Sequence, residues 1–448
     1  MEILQQILFV LMAGGSIYLF GKQAAVIYSN IMLGEKETID TPLSYRIKQM
    51  MLIALGQKKM FKITSAALLH LVIYVAFVIT QIELIEVFID GVFGTHRAVY
   101  HFFENIGSGL LTGLYFLAIN AIEVLSLMTF FVTLAFLSRR NLLKLPRFTK
   151  AELKGWPTKD ANLILIFELI LITCIFSMNI ADRALQLQGS HPDHYSLVGN
   201  GFAVSGTLAP IFSGLPDVVL IIWERLGWWG HIIMVFVFLN YLPKSKHLHI
   251  ILAFPNTFFS RPEPKGQIHN MPAIMNEVKS MFDPSFVAPV TEGEVKFGAK
   301  DVRDLSWKSL LDAYSCTECG RCTAACPANQ TGKKLSPRKI MMDTRDRLEE
   351  VGKGIREHGP EFTDNKQLLG DYISKEELRA CTTCNACVEE CPVNISPLNI
   401  IVELRRNMIM EEADSPAEWN TIFTNMENNQ APWQFSPEDR LKWTEELS

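Results

Sequence analysis

The chain carries no excess of basic charge. Its 42 Lys and Arg stand against 47 Asp and Glu, a net −5, which does not suggest nucleic acid as a partner. Nothing basic precedes the first apolar run, only Glu2, so a cleaved signal peptide is not expected. Charge of either sign is scarce in the first ~255 residues, where the long apolar runs lie. Cysteine is nearly missing outside one stretch: of nine, only Cys174 lies beyond Cys316–Cys391. The averages, 49% hydrophobic and 20% charged, conceal this division. A membrane-embedded half followed by a charged, soluble half is implied, not an evenly mixed globule. At 448 residues there is room for two or three domains.

The cysteines form two runs of one design. The first is Cys316-Thr-Glu-Cys319-Gly-Arg-Cys322-Thr-Ala-Ala-Cys326-Pro327. The second is Cys381-Thr-Thr-Cys384-Asn-Ala-Cys387-Val-Glu-Glu-Cys391-Pro392. This C-x2-C-x2-C-x3-C-P spacing is the signature of bacterial [4Fe–4S] proteins, and its duplication makes it specific. In two-cluster ferredoxins the fourth Cys of each run serves the other cluster. Cluster A is therefore expected on Cys316, Cys319, Cys322 and Cys391, and cluster B on Cys381, Cys384, Cys387 and Cys326. Two four-thiolate zinc sites are the alternative, but zinc needs neither the following Pro nor the x3 gap. A disulfide framework fits less well, since thiolates at cluster spacing suit a reducing compartment.

Five segments reach the ~20 mostly apolar residues that cross a bilayer: 4–28, 63–88, 109–137, 161–181 and 216–242. The stretch 196–214 is rich in Gly and Pro and reads as a loop or re-entrant piece. Basic residues crowd the loops after the first and third spans, from Lys36 to Lys62 and from Arg139 to Lys159. The other two loops hold Arg97 and Arg183. The bias predicts a multi-pass protein of the bacterial inner membrane, N-terminus outside, with the cysteine runs in the cytoplasm.

Histidine inside a span is costly and usually functional. His70 lies in the second span and His231 in the fifth, with His247 and His249 at its end beyond Pro243. Two histidines on neighbouring helices at one depth can clamp a haem iron from both sides. His70 with His249 would set a haem near the clusters, and His70 with His231 is also possible on depth. His231 and His249 lie about 27 Å apart along a helix and cannot share one haem. If the helix runs on past Pro243, His249 faces the same way as His231, and His247 nearly the opposite way. A second haem would call on His96 or His101. The bland alternative is that His70 and His231 hydrogen-bond neighbouring helices. Glu123, Glu168, Glu224 and Arg225 are further ionisable groups in the spans. Glu224 and Arg225 can pair, and the three glutamates are candidate proton relays. Trp223, Trp228 and Trp229 suit lipid or haem packing equally.

The expected architecture is all-α: a five-span transmembrane helical bundle over 1–255, a connector over 256–300, and a cytoplasmic α-helical dicluster ferredoxin domain over 301–414. Residues 415–448 form an acidic, polar tail. Apolar steps of three and four predict helix from Val302 to Tyr314. The ~54 residues between the runs hold further helices over 338–351 and 375–379, too long an insert for a compact β-rich ferredoxin.

On these residues the chain resembles known families. Trp228-Trp229-Gly-His231 and Tyr241-Leu-Pro243-Lys-Ser245-Lys-His247-Leu-His249 resemble the last span of membrane cytochrome b subunits of the nitrate reductase gamma type. That resemblance implies His70 with His249 for the haem nearer the clusters. The second histidine of the family's other span falls on Thr80, which leaves His231 without a partner and one haem b expected. Trp307-Lys308-Ser-Leu310-Leu-Asp312-Ala-Tyr314 and Gly332-Lys333-Lys-Leu335-Ser-Pro337 resemble the ferredoxin part of D-type heterodisulfide reductase proteins and of related C-type glycerol-3-phosphate dehydrogenase proteins. Fused forms include electron-transfer-flavoprotein:menaquinone oxidoreductases. The implied role is an oxidoreductase subunit linking a cytoplasmic donor, a reduced flavoprotein, to menaquinone. The alternatives are quinol-driven reduction of a disulfide and a membrane redox sensor that turns nothing over. Asn425 to Trp433, with Arg440 and Trp443, resembles the lead-in to cysteine-rich CCG repeats. Residues ~415–448 are therefore expected to dock a separate CCG-domain subunit.

Overall fold

The computed structural model describes residues 2–192, 194–195, 198–199, 201–262, 267–289 and 296–447. No strand occurs among the described residues, only the isolated bridges Glu35–Ser306 and Leu369–Ile373. Five helices are long and apolar enough to cross a membrane: α1 (Glu2–Ile31), α2 (Thr64–Phe93), α3 (Gly109–Asn141), α4 (Trp156–Gln188) and α5 (Asp217–Tyr241). Their outward faces are apolar, as with Leu4, Leu11, Leu117 and Leu226, which in a bilayer would meet lipid.

Small residues set the closest helix contact. A Cβ on Gly227 of α5 would lie 2.6 Å from the backbone N of Met178 on α4, and one on Gly230 would lie 3.0 Å from Cys174 Sγ. Cys174 is thus a small packing residue at the α4–α5 crossing. Nearby, Phe9 of α1 is fully buried against Phe88, Trp228 and Phe236. Aromatic packing and small-residue crossings do the work of a hydrophobic core here, because lipid is as apolar as the helix faces. The 196–214 stretch contributes a short helix, Ser205–Phe212.

α5 does not run on past Pro243. It ends at Tyr241, makes a tight turn over Leu242–Lys244, extends at Ser245 (φ −122°, ψ 151°), and turns again over Lys246–Leu248. A new helix α6 (His249–Phe258) follows. The straight-helix premise for His231, His247 and His249 therefore fails. Proline removes a donor and favours a break in the helix, and Ser245 caps the second turn by accepting from the His247 N–H.

The iron–sulfur half is built from α7 (Trp307–Tyr314), α8 (Pro337–His358), α9 (Pro397–Met410) and short helices at the cysteines. Val302–Asp304 is a separate turn and Leu305 is extended, so the helix before the first run starts only at Trp307. This half is not a bead on a string. One apolar core joins Ile27 and Ile31 of α1 and Leu248 and Ala253 at α6 to Leu305, Leu310, Ile340 and Leu404. α6 crosses residue 255 and is packed into that core. Beyond it lie Pro272–Phe282, then α10 (Ala417–Asn429) and a loose turn over Pro437–Leu447.

Candidate electron-transfer site

Both cysteine runs fold alike. In the first, Glu318 (φ 54°) and Gly320 (φ 73°) take the left-handed conformation, then a short helix, Arg321–Ala325, carries Cys322. In the second, Thr383 (φ 54°) and Asn385 (φ 61°) do the same ahead of Ala386–Glu390, which carries Cys387. The left-handed residues turn backbone N–H groups toward sulfur. Thr383 N–H donates to Cys381 Sγ at 3.4 Å and Ile395 N–H to Cys391 Sγ at 3.3 Å. Glu318 N–H does the same for Cys316. Such bonds stabilise thiolate and tune an attached metal group.

The thiols fall into two sets. Cys391 feels Cys319 and Cys316, and Cys322 feels Cys319, Cys316 and Cys391 and, after them, Cys387 of the second run. Cys387 feels Cys381, Cys326 and Cys384. One cavity is walled by Cys316, Cys319, Cys322 and Cys391 together. The first expected set shares that cavity, and Cys387 lies nearest Cys381, Cys326 and Cys384. Burial, then the neighbouring thiols, pushes Cys316, Cys387 and Cys391 up to about 12. Among the described residues no three His, Cys, Asp or Glu side chains converge closely enough to share one metal ion. Four thiols spread around a cavity suit a polynuclear group, in which each iron takes a different sulfur, and not a single zinc. Cys384 is exposed, whereas no thiol of the first set is: Cys316 and Cys391 are buried and Cys319 and Cys322 half-buried.

Three of the four candidate histidines share one arrangement. Nδ1 of His70 lies 3.1 Å from Gln57 Oε1, Nδ1 of His231 lies 3.3 Å from Leu171 O, and Nδ1 of His249 lies 3.0 Å from Lys246 O. An acceptor at Nδ1 fixes the proton there and leaves the Nε2 lone pair free, as in a metal-ligating histidine. His247 has no such acceptor among the described residues; its ring packs on Phe238 and, 5.3 Å away, on His249. His70 lies near both His249 and His247. Burial lowers His247 and His249 from their ordinary value, which keeps both neutral. The choice of His249 over His247 thus rests on its hydrogen bond, not on helical phase.

His231 sits apart, near Glu83. His96 bonds Asp182 at 3.2 Å and His101 bonds Glu104 at 3.2 Å. Glu224 and Arg225 pair at 2.5 Å. Glu123 accepts from the Val204 and Ser205 N–H groups, and Glu168 faces no charged group among the described residues.

Sequence reasoning missed the residues that join the two halves. Lys246 donates to Glu318 and to Pro157 O, and the Lys246 carbonyl is the acceptor for His249. Glu318 also binds Arg345 at 3.0 Å. Asp160, at the start of α4, takes the Tyr241 hydroxyl and the Lys246 N–H and so pins the broken segment. Arg321 donates to the carbonyls of Lys59 and Met60, and Lys62 pairs with Glu389 at 2.5 Å. Lys246 lies between two conspicuous histidines and Glu318 inside a cysteine run; nothing in the pattern singled either out.

The fold and the thiol sets define a class: a membrane-anchored iron–sulfur protein with a dicluster domain. Residues 315–395 match the family described as 4Fe-4S dicluster domain. The chain is 27% identical to the probable iron-sulfur-binding oxidoreductase FadF of Bacillus subtilis (strain 168), over 98% of this chain and 61% of the relative. It is 30% identical to the EtfAB:quinone oxidoreductase of Syntrophomonas wolfei, over 67% of this chain and 42% of the relative. A component of the dihydromethanophenazine:CoB–CoM heterodisulfide reductase of Methanosarcina mazei is 26% identical over 32% of this chain and 35% of its own length. The chain thus spans less than two thirds of these relatives. No solved structure matches.

Proposed function

We propose that the chain is the membrane electron-transfer part of a quinone-linked oxidoreductase. It would join a reduced flavoprotein, through a CCG-domain iron–sulfur partner, to menaquinone. Cys316, Cys319, Cys322 and Cys391 hold one [4Fe–4S] cluster, and Cys381, Cys384, Cys387 and Cys326 the other. His70 and His249 hold haem b. When bound, these groups supply one-electron carriers. The protein's part is to hold them in series, keep water from the inner thiol set and fix the two imidazoles as neutral ligands. One observation carries the reading: Lys246 touches the cluster A loop with its side chain and the His249 ring with its carbonyl. That contact supports cluster A as the centre nearer His249, and the exposure of Cys384 supports cluster B as the entry side.

The two Lys- and Arg-rich loops are the ones the iron–sulfur half rests on, through Lys59, Lys62 and Arg147. This supports a cytoplasmic iron–sulfur half in a bacterial inner membrane. The tail exposes Trp419, Ile422, Phe423, Met426, Trp433 and Trp443, a surface suited to the CCG partner. The likeness to a heterodisulfide reductase component favours one second reading, quinol-driven reduction of a disulfide by the same path run backwards.

The test is optical. Purified protein is expected to show a reduced b-type spectrum that His70→Ala removes and a menaquinone analogue reoxidises. A membrane domain without haem absorption would overturn the proposal.

A further inference from the structure

We propose that a cavity of about 250 Å³ between the α3–α4 loop and the first cysteine run binds a phosphate-bearing anion. Arg147 and Lys150 line it from the α3–α4 loop, and Gly320, Asn329, Gln330 and Arg338 from the iron–sulfur half. No cysteine lines it, so it is separate from the thiol cavity, with which it shares Gly320 and Arg338.

Its cations are short of partners. Arg338 is fully buried. It reaches Glu152 at 2.7 Å and the Arg147 carbonyl at 2.8 Å, but its Nε has no acceptor. Arg147 Nε is likewise buried and unsatisfied. Among the described residues Arg147 pairs with no carboxylate; its guanidinium lies over the Phe148 ring. Lys150 Nζ bonds only the amide of Asn329, at 3.1 Å. Buried N–H groups are nearly always satisfied, and an unsatisfied one on a charged group is costly. Arg147 and Lys150 bring cationic groups to the cavity wall without a carboxylate to pair them, and guanidinium forks match phosphate.

The site's place narrows the ligand. Arg140 is at the end of a membrane span, and Arg147 and Lys150 follow directly. Basic residues beside a span meet the anionic headgroups of the adjoining leaflet. The shared chemistry is a phosphate; a phospholipid headgroup and free phosphate are its two sources. Bound there, it would brace the loop against the Gly320 turn of cluster A.

The test uses the whole purified protein. Lipid retention is measured in nanodiscs of phosphatidylcholine with and without phosphatidylglycerol, and inorganic phosphate is titrated into delipidated protein in detergent. Phosphatidylglycerol is expected to be retained over phosphatidylcholine. Binding should fall roughly tenfold in Arg147→Met/Lys150→Met, given the strength of charge-assisted bonds. Gln330→Glu, which offers the cavity a carboxylate of its own and removes no cation, should weaken it similarly. The electron paramagnetic resonance signals of both clusters should persist in each variant. Phosphate binding that survives saturating phosphatidylglycerol would assign the site to the free anion. Equal retention of both lipids with no phosphate binding would overturn the proposal, as would undiminished binding in Gln330→Glu. None of these readings depends on haem or quinone.

Discussion

Lys308 and Asp312 lie one turn apart on α7, each about 1% exposed, with Nζ 2.5 Å from the carboxylate. Nζ also reaches Asn256 Oδ1 at 2.9 Å, and the Asn256 amide donates to the Val393 carbonyl at 2.9 Å. The second Asp312 oxygen accepts from the Ser396 N–H at 3.3 Å and faces Arg261 at 3.9 Å. One ion pair thus ties together α6, the helix leading to Cys316 and the chain leaving Cys391, two ligands of one thiol set. Lys308→Met leaves a buried carboxylate whose nearest cation is Arg261. Removing one partner of such a pair costs about 3–5 kcal/mol. The remaining Arg261 and Ser396 contacts place this case near the lower end, about 3 kcal/mol. Adding Asp312→Leu removes the orphaned charge and should recover most of the loss, because an apolar pair can replace a buried ion pair at little cost. The assay is a urea titration read by the visible absorbance of the clusters. An unchanged midpoint in Lys308→Met, or a double variant weaker than the single one, would refute the reasoning.

Four other expectations are checked as directly. His249→Ala should remove the b-type spectrum while His247→Ala keeps it, since only His249 has its Nδ1 proton fixed by a carbonyl; ligand swapping to His247 would show as a retained spectrum in the first variant. Gly227→Val should destabilise the membrane half by about 3 kcal/mol or more, because overpacking typically costs about 1–3 kcal/mol and here the Cβ already meets backbone; solubilised protein would lose its thermal transition by several degrees. Hydrogen bonds from Arg347 hold the Asp364 carboxyl at about 2, below its usual 3.8. A depressed carboxyl contributes stability above pH 3.8 that is lost as pH falls toward 2, so Arg347→Met should flatten that part of the acid-denaturation curve. Phe423→Asp on the exposed face of α10 should abolish co-purification of a CCG-domain protein and leave both cluster signals intact.

Different parts of the molecule were legible in the sequence to different degrees. The dicluster domain could be read because its cysteine spacing goes with a local turn: Glu318 and Gly320 in one run and Thr383 and Asn385 in the other take matching left-handed conformations. The spans could be read because a bilayer demands long apolar runs. The break at Ser245 could not, because the apolar run Ile250–Phe254 resumes at once and imitates one continuing helix. Arg97 looked like an ordinary loop charge. It is buried, bonding Asn179 at 2.6 Å and pairing with Glu83, Glu86 and Asp182 at 3.2–3.5 Å. Its carboxylates come from two different helices, and no local pattern announces a partner so far along the chain.

The break after α5 also explains how the two halves are joined. A continuous helix would carry His249 about 12 Å beyond Tyr241 along the axis. The turns at Leu242–Lys244 and Lys246–Leu248 instead fold the segment back, and Asp160 holds it there through Tyr241 and Lys246. One residue can then serve both sides. The Lys246 carbonyl orients an imidazole, and its ammonium, pulled down by burial and held up by Glu318, anchors the turn between Cys316 and Cys319. The connection runs through one buried ion pair and a few bonds of main chain. Its geometry is therefore fixed wherever the iron–sulfur half is folded, and the same residues that dock the halves also set the spacing between the His249 ring and the first cysteine run.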